Sequence, residues 1–285
     1  MPAAGLHEIR LETPRGELAA LRGGTPGGPR LLCLHGWLDN AASFLPLAPL
    51  LSEFELVALD LPGHGASGHR APGYDYAFVD WVHDLLDALD ALGWERADLL
   101  GHSMGGAIAC AVAAATPARV RRLALVEALG PVAGDPGLAG QRLRDAVVAR
   151  RALAPRPARV IPDLDTAVAA RLAASRMTPD AARLIVARNL RPVEGGHAWR
   201  SDPRLTLPTH LRLTEDTVQS ILRAIEAPVL VIAAQPSPPY FTPEVRAARL
   251  ACLADGRLVV FAGGHHLHME QAAQVAIPLR DFLLA

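Results

Sequence analysis

The sequence predicts an α/β fold: a mostly parallel sheet covered by helices on both faces and interrupted by a helical insertion. Three observations carry this. Short continuous apolar runs alternate with segments of helical periodicity, as expected of strands buried on both faces. The alternation stops at residue 131 and resumes only after about 215. Hydrophobic residues make up 51% of the 285 and charged residues 20%, enough apolar material for one domain with an insert and far from the composition of a disordered chain.

The elements follow in order. His7 to Glu12 and Glu17 to Arg22 alternate in polarity around Pro14-Arg15-Gly16, a hairpin signal. Leu31 to Leu34, Glu55 to Leu59, Ala97 to Leu100, Leu123 to Val126, Pro228 to Ala233 and Leu258 to Ala262 are too short for core helices and are bounded by turn residues, so they read as buried parallel strands. Helical periodicity marks Ala41–Leu51, Tyr76–Leu92, Met104–Thr116, Pro243–Leu253 and Leu267–Leu284, with Pro46, Pro49 and Pro278 set within them. The intervening segment, rich in Ala, Arg and Pro, carries helical stretches at Gln141–Leu153, Asp165–Ala174 and Thr178–Asn189 and no convincing buried strand. The expected division is a core of residues 1–130 and 216–285 with a helical cap at 131–215, lying over the sheet edge where strand C-termini emerge.

Net charge is -1, and the 28 basic residues, all arginine, are scattered, so no nucleic-acid partner is expected. The absence of lysine excludes Schiff-base and lysine-general-base chemistry. Cys33, Cys110 and Cys252 have no paired-ligand spacing and sit in apolar runs, which suits a reducing cytoplasm. Charged residues break the first fifteen positions where a signal peptide would be apolar, and no run approaches the roughly 18 apolar residues of a span. The expected partner is thus a small-molecule substrate rather than nucleic acid or membrane; a homodimer stays open.

The chemistry concentrates at strand ends. In Ala97-Asp98-Leu99-Leu100-Gly101-His102-Ser103-Met104-Gly105-Gly106 a buried strand runs into an Ala-rich helix through Gly-x-Ser-x-Gly. Ser103 on so tight a turn reads as a nucleophile, the glycines leaving room for strand and helix to approach; the bland alternative is an N-cap serine. Leu32-Cys33-Leu34-His35-Gly36-Trp37 ends a second strand, and the backbone N–H groups of Trp37 and Met104 are candidate oxyanion donors. After the last strand, Gly263-Gly264-His265-His266-Leu267-His268 offers the general base, His265 ahead of His266 or His268. A metal site from the His-x-His spacing finds no third ligand nearby, so neither metal nor cofactor is expected.

Leu34-His35-Gly36-Trp37-Leu38-Asp39-Asn40, Asp60-Leu61-Pro62-Gly63-His64-Gly65-Ala66-Ser67, Gly101 to Gly106 and Gly264 to Glu270 together resemble the α/β-hydrolase superfamily, whose sheet is eight-stranded and mostly parallel. Within it, His-Gly-Trp-Leu-Asp-Asn and Arg200-Ser201-Asp202-Pro203-Arg204-Leu205 are similar to the serine-hydrolase-like branch. The resemblance implies Ser103 as nucleophile, His265 as base, and Trp37 and Met104 as oxyanion donors. It also implies a triad carboxylate after the Pro228–Ala233 strand, but Ser237 stands there. Glu127, ending the neighbouring strand at a position where some haloalkane dehalogenases carry a Glu, is the favoured acid; a dyad without acid, Asp39 or Glu244 are the alternatives. Asp60 reads as a structural loop aspartate. Trp37, His102, Leu129 and Trp199 are candidate substrate contacts, while Arg200 and Asp202 read as a local ion pair. The expected activity is a cofactor-independent serine esterase on a small to medium, largely apolar ester. The rivals are a carbon–carbon bond hydrolase on a diketone and a non-catalytic ligand-binding relative.

Overall fold

A computed structural model describes residues 5–153 and 159–285. Residues 1–4, at the head of the stretch read for a signal peptide, and 154–158, in the insertion, lie outside it. The first hairpin, β1 (His7–Thr13) and β2 (Gly16–Gly24), is followed by β3 (Arg30–Leu34), β4 (Glu55–Leu59), α1 (Phe78–Ala91), β5 (Ala97–His102), α2 (Met104–Ala115) and β6 (Val120–Val126). The insertion holds α3 (Ala139–Ala152), α4 (Leu164–Ala174), α5 (Pro179–Asn189), β7 (Leu190–Val193) and β8 (Gly196–Trp199). The chain returns through α6 (Glu215–Arg223), β9 (Val229–Gln235), α7 (Pro243–Leu250), β10 (Gly256–Ala262), α8 (Leu267–Glu270) and α9 (Ala272–Leu284).

The eight-stranded sheet has the order β1-β2-β4-β3-β5-β6-β9-β10. Only the β1–β2 and β2–β4 pairings are antiparallel. Period-two alternation separates two cores. Leu32, Leu34, Val57, Leu59 and Leu99 face α1, α2 and α6, while Leu31, Cys33, Leu56, Ala58 and Leu100 face Phe44, Leu47 and α9 on the other side. A third, smaller cluster of Ile161, Ala167, Val168, Ala182, Val186 and Leu190 lies within the insertion.

Four expectations are corrected. Ala41–Leu51 is two 3-10 turns, Ala41–Phe44 and Ala48–Leu51, joined by Leu47 N–H to Phe44 O at 3.1 Å; Pro46 and Pro49 lack the N–H groups an α-helix would use. The insertion contains a strand pair: β7 and β8 close over Glu194-Gly195, with Gly195 at φ +80 and Gly196 at φ +152, a hairpin obscured by Arg191-Pro192. The last helix breaks at Gln271 (φ −131), whose side-chain amide donates to Ala262 O at 2.7 Å. Leu258–Ala262 belongs to an edge strand with Leu258 and Val260 exposed, not to a buried one. In addition, α6 was unforeseen, though Thr214 caps it and Val218 and Leu222 bury one face. Among the described residues no helix is long and apolar enough to cross a membrane.

Candidate active site

Because β3, β5, β6, β9 and β10 run parallel, their C-terminal ends share one edge, the usual place for a site in such a sheet. Register then sets the neighbours. His102 pairs with Val126 and Val126 with Ile232, so the residues that follow, Ser103 and Glu127, leave adjacent strands side by side. Ser103 N–H donates to Val126 O at 3.0 Å and Glu127 N–H to Ile232 O at 2.8 Å.

Ser103 adopts φ +50 and ψ −115, a conformation side chains rarely take, and makes no capping bond to α2. The surrounding glycines permit it. A Cβ on Gly101 would sit 2.5 Å from Gly106 Cα, and one on Gly105 would run into the Leu34 carbonyl. The turn thus lifts Ser103 Oγ off the helix, where it lies 3.0 Å from His265 Nε2.

His265 follows β10, and its Nδ1 lies 3.2 Å from Glu127 Oε2. Glu127 also has positive φ (+55) and is only 2% exposed. Its other oxygen accepts the Ala234 N–H at 2.5 Å, so a carboxylate that would be costly to bury alone has a partner on each oxygen. An acceptor at Nδ1 makes that nitrogen the donor and leaves the Nε2 lone pair toward Ser103. Ser237, by contrast, accepts from Arg246 Nη2 at 2.8 Å; this arginine is 4% exposed and also reaches Ala234 O at 3.3 Å. Glu244 is exposed on the first turn of α7.

Asp39 meets other histidines. Its Oδ2 lies 3.6 Å from His102 Nδ1 and 3.4 Å from His266 Nε2. Burial alone would raise its pKa, but the adjoining His102 and His266 imidazoles and the Arg171 charge hold it well below the usual carboxylate range. His102 is buried, donates Nε2–H to His265 O at 2.9 Å, and is pushed down to about 4 by burial and by His265 and His266, against the pull of Asp39. His268 is buried beside it, ring centroids 4.2 Å apart.

The remaining candidates are spread widely. Trp37 is 51% exposed, with its indole N–H donating to Leu205 O at 2.9 Å. Met104 opens α2, half-buried. Among the described residues, neither the Trp37 nor the Met104 backbone N–H is taken by another group. Leu129 is in the main core, its carbonyl accepting from Arg249 at 2.8 Å, and Trp199 packs on the insertion's own cluster. Asp60 accepts N–H groups from Ala41 (2.7 Å) and Ala66 (2.8 Å) and pairs with Arg188. Asp202 pairs with Arg204 and accepts from Tyr76 at 2.8 Å, whereas Arg200 reaches Leu190 O at 3.1 Å. Sequence reasoning did not single out Tyr240, whose ring stands edge-on to His265 at 6.4 Å; burial and then the Glu127 charge raise its phenol pKa. The one signal for it was its place after the proline-rich turn that carries Ser237.

Known proteins share this fold. A family model of the alpha/beta hydrolase fold matches residues 29–272. A "Serine hydrolase-like protein" of Danio rerio is 30% identical over 97% of this chain and 88% of its own length. The crystal structure of the hypothetical protein PA1622 from Pseudomonas aeruginosa PAO1 superposes with a TM-score of 0.91 at 41% identity, covering 98% of this chain and 99% of that one. A thioesterase domain from the curacin biosynthetic pathway is similar at 25% identity and a TM-score of 0.84, covering 98% and 99%. The chain belongs to the α/β-hydrolase fold family, in its serine-hydrolase-like branch.

Proposed function

We propose that this protein is a cofactor-independent serine hydrolase that cleaves a small to medium, largely apolar carboxylic ester, with residues 131–215 as its cap. The observation that carries the reading is the continuous Ser103 Oγ, His265 Nε2, His265 Nδ1, Glu127 Oε2 relay at 3.0 and 3.2 Å, assembled from three strand ends. Ser103 Oγ attacks the ester carbonyl as His265 takes its proton, and Glu127 stabilises the imidazolium. The Trp37 and Met104 N–H groups, the second at the positive end of α2, hold the oxyanion. His265 then protonates the departing alcohol, and water, activated by the same imidazole, splits the acyl-enzyme into acid and free Ser103.

Met104, directly after Ser103, and Tyr240, edge-on to His265, favour an apolar acyl or alcohol group. Cys33 and Cys110 are unpaired and buried, which fits a reducing compartment. The non-catalytic reading rests on Ser237 at the expected acid position, and the Glu127 carboxylate 3.2 Å from His265 Nδ1 weighs against it. The test is fluorophosphonate labelling with turnover of p-nitrophenyl esters of graded acyl length. Labelling confined to Ser103, and a roughly 10⁶-fold lower kcat in Ser103→Ala, are expected. A folded protein that neither labels nor turns over any ester defeats the reading.

A further inference from the structure

The loop that carries Trp37 does not hold its own shape. Leu38 sits at φ +58, a left-handed backbone that a branched side chain adopts only under constraint, while Asp39 N–H closes a tight turn on Gly36 O at 3.1 Å. The constraint comes from the insertion. Arg171, on α4 with only 13% of its side chain exposed, donates from Nη1 to Leu38 O at 3.3 Å and from Nη2 to Asp39 Oδ1 at 2.5 Å, so one guanidinium holds both the strained residue's carbonyl and the next side chain. The other oxygen of Asp39 faces His102 and His266, the neighbours of Ser103 and His265. A Cβ on Gly36 would meet His102 Nδ1 at 2.9 Å and Asp39 Oδ2 at 3.1 Å, so the turn is packed on this cluster without slack. Two further insertion contacts grip the same five residues: Asn40 Nδ2 to Ile185 O at 2.8 Å and Trp37 Nε1 to Leu205 O at 2.9 Å.

We propose that Arg171 is a positioning residue: through Leu38 O and Asp39 it sets the peptide plane of the Trp37 turn and so aims the Trp37 N–H, coupling the seating of the insertion to the formation of the oxyanion site. The inference rests on the hydrolase reading above. Without the guanidinium, Leu38 relaxes out of the left-handed region and the Trp37 peptide rotates with it. The relay of Ser103, His265 and Glu127 stands on β5, β6 and β10 and persists.

The experiment compares wild type, Arg171→Ala and Arg171→Lys for ester kcat and KM, fluorophosphonate labelling, and affinity for a boronic acid that forms a tetrahedral adduct on Ser103. Arg171→Ala is expected to lower kcat by about 10²-fold, the order lost with one oxyanion donor, with KM within about threefold and boronate affinity falling in parallel. Added guanidinium ion recovers part of kcat. Leu38→Gly in the Arg171→Ala background, free to adopt φ +58, recovers part as well. Should Arg171→Ala not fold, Arg171→Lys decides: one ammonium cannot hold both Leu38 O and Asp39, so kcat drops severalfold at unchanged KM. An unchanged kcat in the variant that folds, or a loss confined to KM, overturns the positioning role while labelling of wild type upholds the hydrolase. A wild type that neither labels nor cleaves esters overturns the hydrolase reading and this inference with it.

Discussion

At the scale of single residues the informative contrast is between Ser237 and Glu127. The position where relatives of this fold are expected to carry an acid holds a hydroxyl already engaged by Arg246, and the carboxylate that reaches His265 comes from the preceding parallel strand. Both sites hang on the end of β9, since Ala234 N–H meets Glu127 and Ala234 O meets Arg246. Glu127→Gln keeps the shape but gives His265 Nδ1 an amide that can present the wrong group. The expected loss in kcat is about 10³–10⁴-fold, with KM little changed. Ser237→Ala is expected to leave kcat within about threefold. Steady-state kinetics on one ester reads both, and a reversal of the two results would move the acid function away from Glu127.

At the scale of elements, the Ser103 turn shows why glycine is written into the sequence. Ser103 holds φ +50 because β5, α2 and the end of β3 approach more closely than any Cβ allows. Gly105→Ala would drive a methyl group into the Leu34 carbonyl, so α2 must shift. A cost of about 2–3 kcal/mol, the scale of overpacking, corresponds to a Tm lower by roughly 5–10 °C. Calorimetry checks this, and a Tm within 1–2 °C, about the effect of an ordinary surface substitution, contradicts it. Three of the elements misread from sequence were each settled by a local backbone event: prolines without donors at 46 and 49, positive-φ glycines at 195 and 196, and the turn at Gln271. Apolar periodicity carries no information about such events.

At the scale of the whole molecule, the buried histidines make stability depend on pH. Burial, the largest cause in each case, pushes His35 and His102 down to about 4 and His64 to about 3, and lowers His268 well below its ordinary value. A folded pKa below the unfolded one means the unfolded chain binds protons first, so stability is fully present above about pH 6.5 and is lost as pH falls toward 4. Asp39 works in a lower window: its depressed pKa contributes stability above about pH 4 and loses it only below. Urea midpoints should therefore fall steeply from pH 7.5 to pH 5, with unfolding taking up to about four protons. A midpoint flat over that range would show that these imidazoles are charged in the native state.

Sequence alone dictates what depends on neighbours along the chain. Alternating apolar runs specify an α/β sheet, and Gly101-His102-Ser103-Met104-Gly105 specifies a strand-to-helix turn. Gly263-Gly264-His265 puts an imidazole after the last strand. The strand-end position already favours Glu127 as the carboxylate, but only the tertiary structure brings it to that imidazole and shows what holds the Trp37 turn. Glu127 and His265 are 138 positions apart, and Arg171 and Asp39 132. Strand order and register bring Glu127 to His265, and the packing of the insertion on the core brings Arg171 to Asp39. Both follow from the burial of many side chains at once, and no local pattern encodes them.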